Sequence, residues 1–191
     1  MKLQRTTIIL IILALGLGAF VYFTEIQTKK ARETVENQEQ DPQKLIFNFA
    51  KNDLKTLIIE TQGKTLKFEQ TEAKTQPWKM IEPEKLTANE PTLSFLINLL
   101  IELKTNQAFV INKEQLKDYG LDQPMAKIFI ELKNQQKHEL ILGKPNFDDT
   151  LIYAQVDPHQ QTEDNLKIIL VSKSFQYAVE RDLNDWKQRE Q

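Results

Sequence analysis

Residues 55–70 have the sequence KTLIIETQGKTLKFEQ, which predicts a β-hairpin. The first seven residues are rich in β-branched and apolar side chains, and Gln62-Gly63 follows them as a two-residue turn. After the turn, residues 65–70 alternate between the apolar Leu66 and Phe68 and charged side chains. This period of two is typical of a strand with one buried face, so we expect an antiparallel pair of strands.

The sequence after the hairpin predicts a third strand and then an apolar helix. Residues 77–81, PWKMI, form the short strand, and residues 91–104 form the helix, with Asn89 as its N-terminal cap. The polar side chains of the helix recur at every fourth residue and form one narrow stripe: Ser94, Asn98 and Glu102. A helix this apolar is buried on most sides, either between layers of its own domain or under a partner.

A short strand and a second helix follow. Ala108–Ile111 is predicted as the strand and Lys113–Tyr119 as the helix. Asn112 and Gln115 have the spacing of a capping box at the start of this helix. Gly120 would end it in the left-handed conformation.

The same order of elements then recurs. The predicted elements are a second hairpin at 126–133 and 138–142, strands at Leu151–Val156 and 166–171, and a helix from Ser172 or Ser174 to about Arg181. Leu57 and Ile128 occupy corresponding places in the two hairpins, 71 residues apart. We therefore predict an α+β domain of two pattern-related halves, each with an antiparallel hairpin, a third strand and a helix.

Residues 6–23, TTIILIILALGLGAFVYF, form an uncharged segment near the N-terminus. As a helix it would span about 27 Å, close to the hydrocarbon thickness of a bilayer. A cleaved signal peptide has a shorter apolar run that ends at a pair of small residues, so we interpret this segment as a retained transmembrane helix. The chain then divides into a short N-terminal tail (1–5), a transmembrane anchor (6–23), a polar tether (24–43) and a soluble α+β domain (44–191).

The short tail favours one orientation of this anchor. Lys2, Arg5 and the α-amine resist translocation, whereas a long folded domain is translocated largely regardless of its charge. The other side of the anchor carries three positive charges, at Lys29, Lys30 and Arg32, so the numbers of positive charges on the two sides are nearly equal. We expect a single-pass membrane protein with its N-terminus in the cytoplasm and its domain outside.

Composition narrows the range of functions. The chain has 25 Lys and Arg against 27 Asp and Glu, a net charge of −2, so no basic surplus points to nucleic acid. Cysteine is absent, which excludes disulfides, thiol catalysis, cysteine metal sites and a lipid-modified N-terminal cysteine.

Residues with reactive side chains lack the spacing of known sites. The two histidines, His138 and His159, have no metal-ligand spacing around them and are interpreted as surface or interface residues. The loop aspartates are interpreted as turn residues: Asp148, Asp149 and Asp157. The three serines, Ser94, Ser172 and Ser174, have no nucleophile motif. We therefore predict no catalytic, cofactor-binding or metal-binding residue, no cofactor and no enzymatic activity.

An ordered set of short motifs resembles a known bacterial family. The motifs are Trp78 after a hairpin, Tyr119-Gly120-Leu121-Asp122-Gln123-Pro124, Leu142-Gly143 and Tyr153-Ala154. Together they resemble the domain of unknown function 4340, over residues 45–186. The resemblance implies a membrane-anchored extracytoplasmic domain associated with ABC transporters of the gliding-motility type. No catalytic residues are established for that family, so it implies none here.

Two functions are compatible with these features. The first is a non-catalytic single-pass membrane protein whose extracytoplasmic domain binds other proteins, for example as an accessory subunit of a membrane transport or envelope assembly. The alternative is an extracytoplasmic module that binds a small ligand between the two halves, in a cleft lined by aromatic residues such as Trp78, Phe147 and Tyr153. A filled interior with an exposed apolar patch would favour the first.

Overall fold

The computed structural model describes residues 45–73, 77–105, 107–162 and 165–188, which belong to one compact unit. The predicted tail, transmembrane anchor and tether at 1–43 lie outside these residues. Within the described part of the chain, no helix has the length and apolar character needed to cross a membrane.

The described residues form a nine-stranded sheet in which every neighbouring pair is antiparallel, in the order β4-β3-β2-β1-β6-β7-β8-β9-β5. The strands are β1 (Leu54–Thr61), β2 (Lys64–Gln70), β3 (Trp78–Glu82), β4 (Leu86–Thr87), β5 (Ala108–Ile111), β6 (Ala126–Leu132), β7 (Lys137–Pro145), β8 (Leu151–Val156) and β9 (Leu166–Ser172). The α-helices are α1 (Glu90–Ile101) and α2 (Ser174–Val179), and 3-10 helices occur at Lys51–Asp53, Lys113–Tyr119, Pro158–Gln160 and Leu183–Trp186. A largely antiparallel sheet with few helices agrees with the predicted α+β class.

The two predicted hairpins lie side by side at the centre of the sheet. Gln62 and Gly63 both have positive φ, 50° and 70°, as expected for a tight two-residue turn. β1 pairs with β6, and Leu57 faces Ile130 while Ile59 faces Ile128. Leu57 corresponds to Ile128 and Ile59 to Ile130 when the sequence is shifted by 71 residues, so the shift converts one pair into the other. The pairing at the centre of the sheet therefore has the spacing of the predicted repeat.

Each hairpin continues through two more strands into a helix, so the order is β1-β2-β3-β4-α1 and then β6-β7-β8-β9-α2. The sequence does not predict β4, because a strand of two residues is too short to show a period of two. The C-terminal segment supports β4 from outside: Gln188 N donates to the carbonyl of Thr87 at 3.0 Å, and Ala88 bridges to Lys187.

Helix α1 begins one residue before its predicted start, after the predicted cap, and ends earlier than predicted. Asn89 Oδ1 accepts a hydrogen bond from Thr92 N at 3.3 Å, which confirms the cap. The predicted end at residue 104 was wrong, because Leu103 and Lys104 pair with the N-terminal segment instead. The carbonyl of Leu103 accepts from Ile46 N at 2.9 Å, and Lys104 bridges to Leu45.

Three other predicted elements differ in type or by at least two residues at one end. Lys113–Tyr119 is a 3-10 helix, although its capping box and the left-handed Gly120, at φ 68°, are confirmed. β7 continues past the predicted end at Leu142 to Pro145, and α2 ends at Val179, two residues before Arg181.

Apolar side chains fill both faces of the sheet, to different extents. The main core lies under α1 and α2 and contains Trp78 and Trp186. A smaller cluster on the opposite face, called here the outer face, consists of Ile111, Leu121, Ile141, Leu166 and Ile168. The 3-10 helix Lys113–Tyr119 packs on this cluster through Leu116 and Tyr119. A pocket remains on the outer face over β1, β6 and the first part of β7.

Candidate functional site

The outer-face pocket lies where β1 of the first half meets β6 of the second. Its apolar floor is Ile58 and Phe129, which are cross-strand neighbours in the β1–β6 ladder. Their sequence neighbours Ile59 and Ile128 point to the opposite face and are fully buried in the main core. The pocket has a volume of about 480 Å³, which is within the usual range for a small-ligand site.

Asp157 builds one wall of the pocket by fixing the loop after β8 to β7. Its Oδ1 accepts a hydrogen bond from Glu139 N at 2.7 Å, and its own amide donates to the Glu139 carbonyl at 2.8 Å. Its Oδ2 lies 2.9 Å from His138 Nδ1, and since a carboxylate only accepts, this histidine nitrogen carries the proton. The residue adopts the left-handed conformation, φ 44°, which asparagine and aspartate tolerate best. These bonds set the position of the pocket wall.

Glu139 is the most unusual residue of the pocket. Its side chain is 10% exposed, and its Oε2 lies 3.1 Å from His159 Nε2, too poorly aligned for a hydrogen bond. Burial raises the pKa of Glu139, and the neighbouring carboxylates of Asp157 and Glu60 act in the same direction. His159 and Lys127 act against that shift. A carboxylate whose Oε2 has no aligned donor in the described part of the chain therefore borders the pocket.

The two histidines are brought to the same pocket, in separate pairs. His138 pairs with Asp157 and packs on the rings of Phe47 and Phe49, 5.3 and 6.0 Å away between centroids. His159 is 89% exposed beside Glu139. Among the described residues, no group of three His, Cys, Asp or Glu side chains is arranged to hold a metal ion.

The predicted turn aspartates Asp148 and Asp149 and the serines occupy structural positions. Asp148 Oδ1 accepts hydrogen bonds from Thr150, which lower the pKa of Asp148, while Asp149 pairs with Lys173. The serines make structural contacts: Ser94 Oγ accepts from Lys51 in a partly buried contact between two distant segments, and Ser172 Oγ accepts from Ser174 N at the start of α2.

The aromatic residues proposed for a cleft between the halves do not meet. Trp78 is buried in the main core, and Phe147 is fully exposed on the β7–β8 turn. Tyr153 packs against Tyr119 in the outer-face cluster, with ring centroids 4.8 Å apart. The pocket that does join the halves was missed. Its signal is a break in alternation at both Ile58 and Phe129, where each strand carries three consecutive apolar residues.

A second surface is the open edge of β5, which is the last strand of the sheet among the described residues and pairs only with β9 there. Its sequence, AFVI, is uncharged, and Phe109 and Val110 are 41% and 66% exposed. The Gln107 carbonyl accepts from Leu170 N at 3.3 Å, so alternation along the ladder directs the backbone of Ala108 and Val110 away from β9. An uncharged edge of this kind can receive another strand.

Two of the motifs behind the family resemblance pack against each other. A Cβ atom at Gly143 would overlap the carbonyl oxygen of Tyr119, and a Cβ at Gly120 would lie 2.9 Å from Lys144 N. The two glycines therefore allow the end of the 3-10 helix to lie directly on β7. This contact holds the outer-face cluster in place beside the pocket.

Comparison with known proteins gives one family. The family described as "Domain of unknown function (DUF4340)" matches residues 78–190, from the first residue of β3 onward. No curated protein and no solved structure matches the chain. Because the family match covers more than half of the chain, the protein belongs to the DUF4340 family.

Proposed function

We propose that this DUF4340 protein is a non-catalytic binding protein that captures an extended segment of a partner protein at the open edge of β5. The observation that carries the proposal is the uncharged edge strand, with Phe109 and Val110 exposed. Edge strands of soluble domains are commonly protected by charges, prolines or bulges, and the four residues of β5 include no charge and no proline. An added strand would pair with the outward backbone of Ala108 and Val110.

Aromatic side chains beside this edge would add specificity. The Phe109 ring packs edge-on against Tyr153 at 6.5 Å, and Tyr153 in turn contacts Tyr119. Main-chain hydrogen bonds supply affinity in strand addition, and pockets or rings beside the strand select alternate side chains. The preferred partner segment is therefore extended, uncharged and apolar at alternate positions.

The predicted membrane anchor at 6–23 would make this binding effective. Confinement to a membrane raises the effective concentration of the domain near other membrane proteins, so a modest strand-addition affinity suffices. With the domain outside the cytoplasm, the partner would be a subunit of a transport or envelope assembly, and the protein would serve as its accessory subunit.

Crosslinking in intact membranes tests this proposal on the full chain. A photocrosslinking amino acid at position 110 should capture a discrete partner, whereas the same group at position 85, beside the opposite sheet edge, should not. Val110→Pro removes an outward amide that β9 does not use, and Val110→Lys adds a charge to the edge, so both should abolish co-purification of that partner. Val110→Thr keeps the branched shape and is the matched control. Equal recovery of the partner with all three variants would contradict the proposal.

A second candidate function, capture of a small ligand, is favoured by the outer-face pocket. The pocket lies where the two halves meet, as a module that binds a small ligand between its halves requires. Its lining does not include the aromatic residues predicted for such a cleft, Trp78, Phe147 and Tyr153. Binding there is independent of β5, so variants at position 110 should leave it unchanged.

A further inference from the structure

Glu139 gives the outer-face pocket a chemical preference. Its side chain is 90% removed from solvent and borders the pocket, yet its Oε2 has no aligned hydrogen-bond donor among the described residues. A buried carboxylate in that state loses the solvation of its charge and gains little in return. A ligand that brings a charged donor to Oε2 would recover that loss.

The lysines near the pocket leave this carboxylate without an ion pair. Lys137 lines the pocket and Lys127 lowers the pKa of Glu139, but among the described residues neither lies within ion-pair distance of Glu139. Lys55, close to the pocket wall, is paired with Glu131 at 2.7 Å. The one basic side chain within ion-pair distance of Glu139 in the described part of the chain is His159, which is 89% exposed. An exposed side chain held by one poorly aligned contact can be displaced at low cost.

A second acid strengthens the local negative potential. Both oxygens of Asp157 are engaged, one by Glu139 N and the other by His138, so this group is fixed in the wall. It repels Glu139 and contributes to the raised pKa of that carboxyl. A cation in the pocket would interact favourably with both carboxylates.

The floor defines the rest of the ligand. Phe129 on β6 is the cross-strand neighbour of Glu139, and Ile58 on β1 is the cross-strand neighbour of Phe129. Side chains directly opposite in a ladder have Cβ atoms about 5 Å apart, so a cation beside Glu139 also lies within reach of the Phe129 ring. The remaining apolar floor matches a short hydrocarbon or aromatic body.

We propose that the outer-face pocket binds an organic ammonium ion with an apolar body, with Glu139 as its counter-ion and Phe129 and Ile58 beneath it. The ammonium can belong to a free amine or to a lysine side chain of a peptide, which present the same chemistry. This inference rests on the second candidate function, ligand capture in the pocket, and is independent of strand addition at β5.

Methyl NMR of the full chain, with isoleucine δ1 methyls labelled, tests the preference directly. Phenethylamine, charged at pH 7.5, is compared with 2-phenylethanol, its neutral counterpart of similar shape. We expect phenethylamine to shift the Ile58 methyl and to bind at least about tenfold more tightly than the alcohol, as a charge-assisted hydrogen bond predicts. The buried Ile168 methyl, in the outer-face cluster, should not move. A second comparison uses N-acetyl-lysine methylamide and its norleucine analogue, which lacks the ammonium group. If phenethylamine binds more tightly than the lysine derivative, the ligand is a free amine. If the lysine derivative binds more tightly, the ligand is a lysine side chain of a peptide.

Two variants assign the preference to Glu139. Glu139→Gln keeps the shape of the side chain and should make each cation bind no better than its neutral counterpart. Glu131→Gln removes the same charge from the same pocket, at a carboxylate already paired with Lys55, and should retain most of the preference. Equal binding of cation and neutral probe to the unmodified chain would overturn the inference and leave ligand capture standing. If neither probe moves Ile58, both ligand capture and the inference fail.

Discussion

Glu139 is the residue at which stability and the proposed ligand binding oppose each other. A carboxylate this well buried would ordinarily be paired by an aligned donor, whereas Oε2 of Glu139 has no such donor among the described residues and only the exposed His159 there lies within ion-pair distance. The local structure is nonetheless well formed, because Asp157 ties both backbone groups of Glu139 to the pocket wall. The cost of the buried charge is therefore tolerated at one position of an otherwise well-packed strand, as is common at binding sites.

We expect Glu139→Gln to stabilise the domain at neutral pH. The raised pKa of Glu139 means that the folded state binds more protons than the unfolded state between the ordinary glutamate pKa and the raised value. The contribution of Glu139 to stability is therefore fully present below that window and is lost as the pH rises through it. The gain from glutamine should grow with rising pH across the window and then level off, in urea titrations at a series of pH values.

Glu131→Gln is the control for this prediction, with the opposite sign. The hydrogen bond from Lys55 lowers the pKa of Glu131, so its contribution to stability is present above the ordinary glutamate pKa and is lost as the pH falls. Glutamine at 131 should therefore weaken the domain slightly at pH 7. A stability gain from Glu139→Gln that did not vary with pH would contradict the conclusion that the buried charge of Glu139 destabilises the domain.

Gly143 and Gly63 are glycines for different reasons, and alanine should separate them. At Gly143 the added methyl would overlap the Tyr119 carbonyl, so we expect Gly143→Ala to cost about 2–3 kcal/mol in unfolding free energy. At Gly63, with φ +70°, nothing lies within 4 Å, and only the conformational penalty of about 1 kcal/mol remains. Urea titration of both variants measures the difference. A smaller loss at 143 than at 63 would show that the 3-10 helix does not rest on β7 as described.

At the scale of elements, the sequence predicts what is determined locally. The turn at Gln62-Gly63 and the caps at Asn89 and Asn112 are local, and the structure contains all of them. The features that the sequence does not predict depend on contacts with residues far away in the chain. The last residues of the predicted apolar helix leave it because Ile46 and Leu45 offer a backbone pairing, about 60 residues earlier in the chain. β4 pairs with β3 and is joined on its other side by the C-terminal segment, which is distant in the sequence.

The C-terminal 3-10 helix Leu183–Trp186 is the element whose contribution is easiest to test. Trp186 is fully buried and packs on Phe68, with ring centroids 5.3 Å apart, and its carbonyl accepts from Asn89 N at 2.8 Å. We expect Trp186→Ala to cost about 3–5 kcal/mol, measured by urea titration. Tyr177→Ala, on the exposed surface of α2, should stay within about 0.5 kcal/mol of the parent. Similar losses for both would mean that the C-terminal segment is not part of the main core.

At the scale of the whole domain, the pocket shows why the site was harder to predict than the fold. Hydrophobic periodicity revealed most strands of the sheet, because one buried face leaves a period of two. The pocket depends on which strands are neighbours. Ile58 and Phe129 are 71 residues apart in the sequence and become neighbours only through the β1–β6 ladder. The apolar residues that break alternation at these two positions mark the outer face, but no local pattern pairs them or brings Glu139 and His159 beside them.

The same ladder makes the two halves one folding unit, so we expect a single cooperative unfolding transition. The β1–β6 pairing joins the halves through the centre of the sheet, and Trp186 from the second half completes the core of the first. Tryptophan fluorescence in urea follows the core around Trp78, and the δ1 methyl of Ile152, buried on β8, follows the second half by NMR. The two midpoints should coincide in the full chain, and Trp186→Ala, which leaves Trp78 as the fluorescent reporter, should lower both together. Separate midpoints would show that each half folds by itself and that the pocket lies between two independent units.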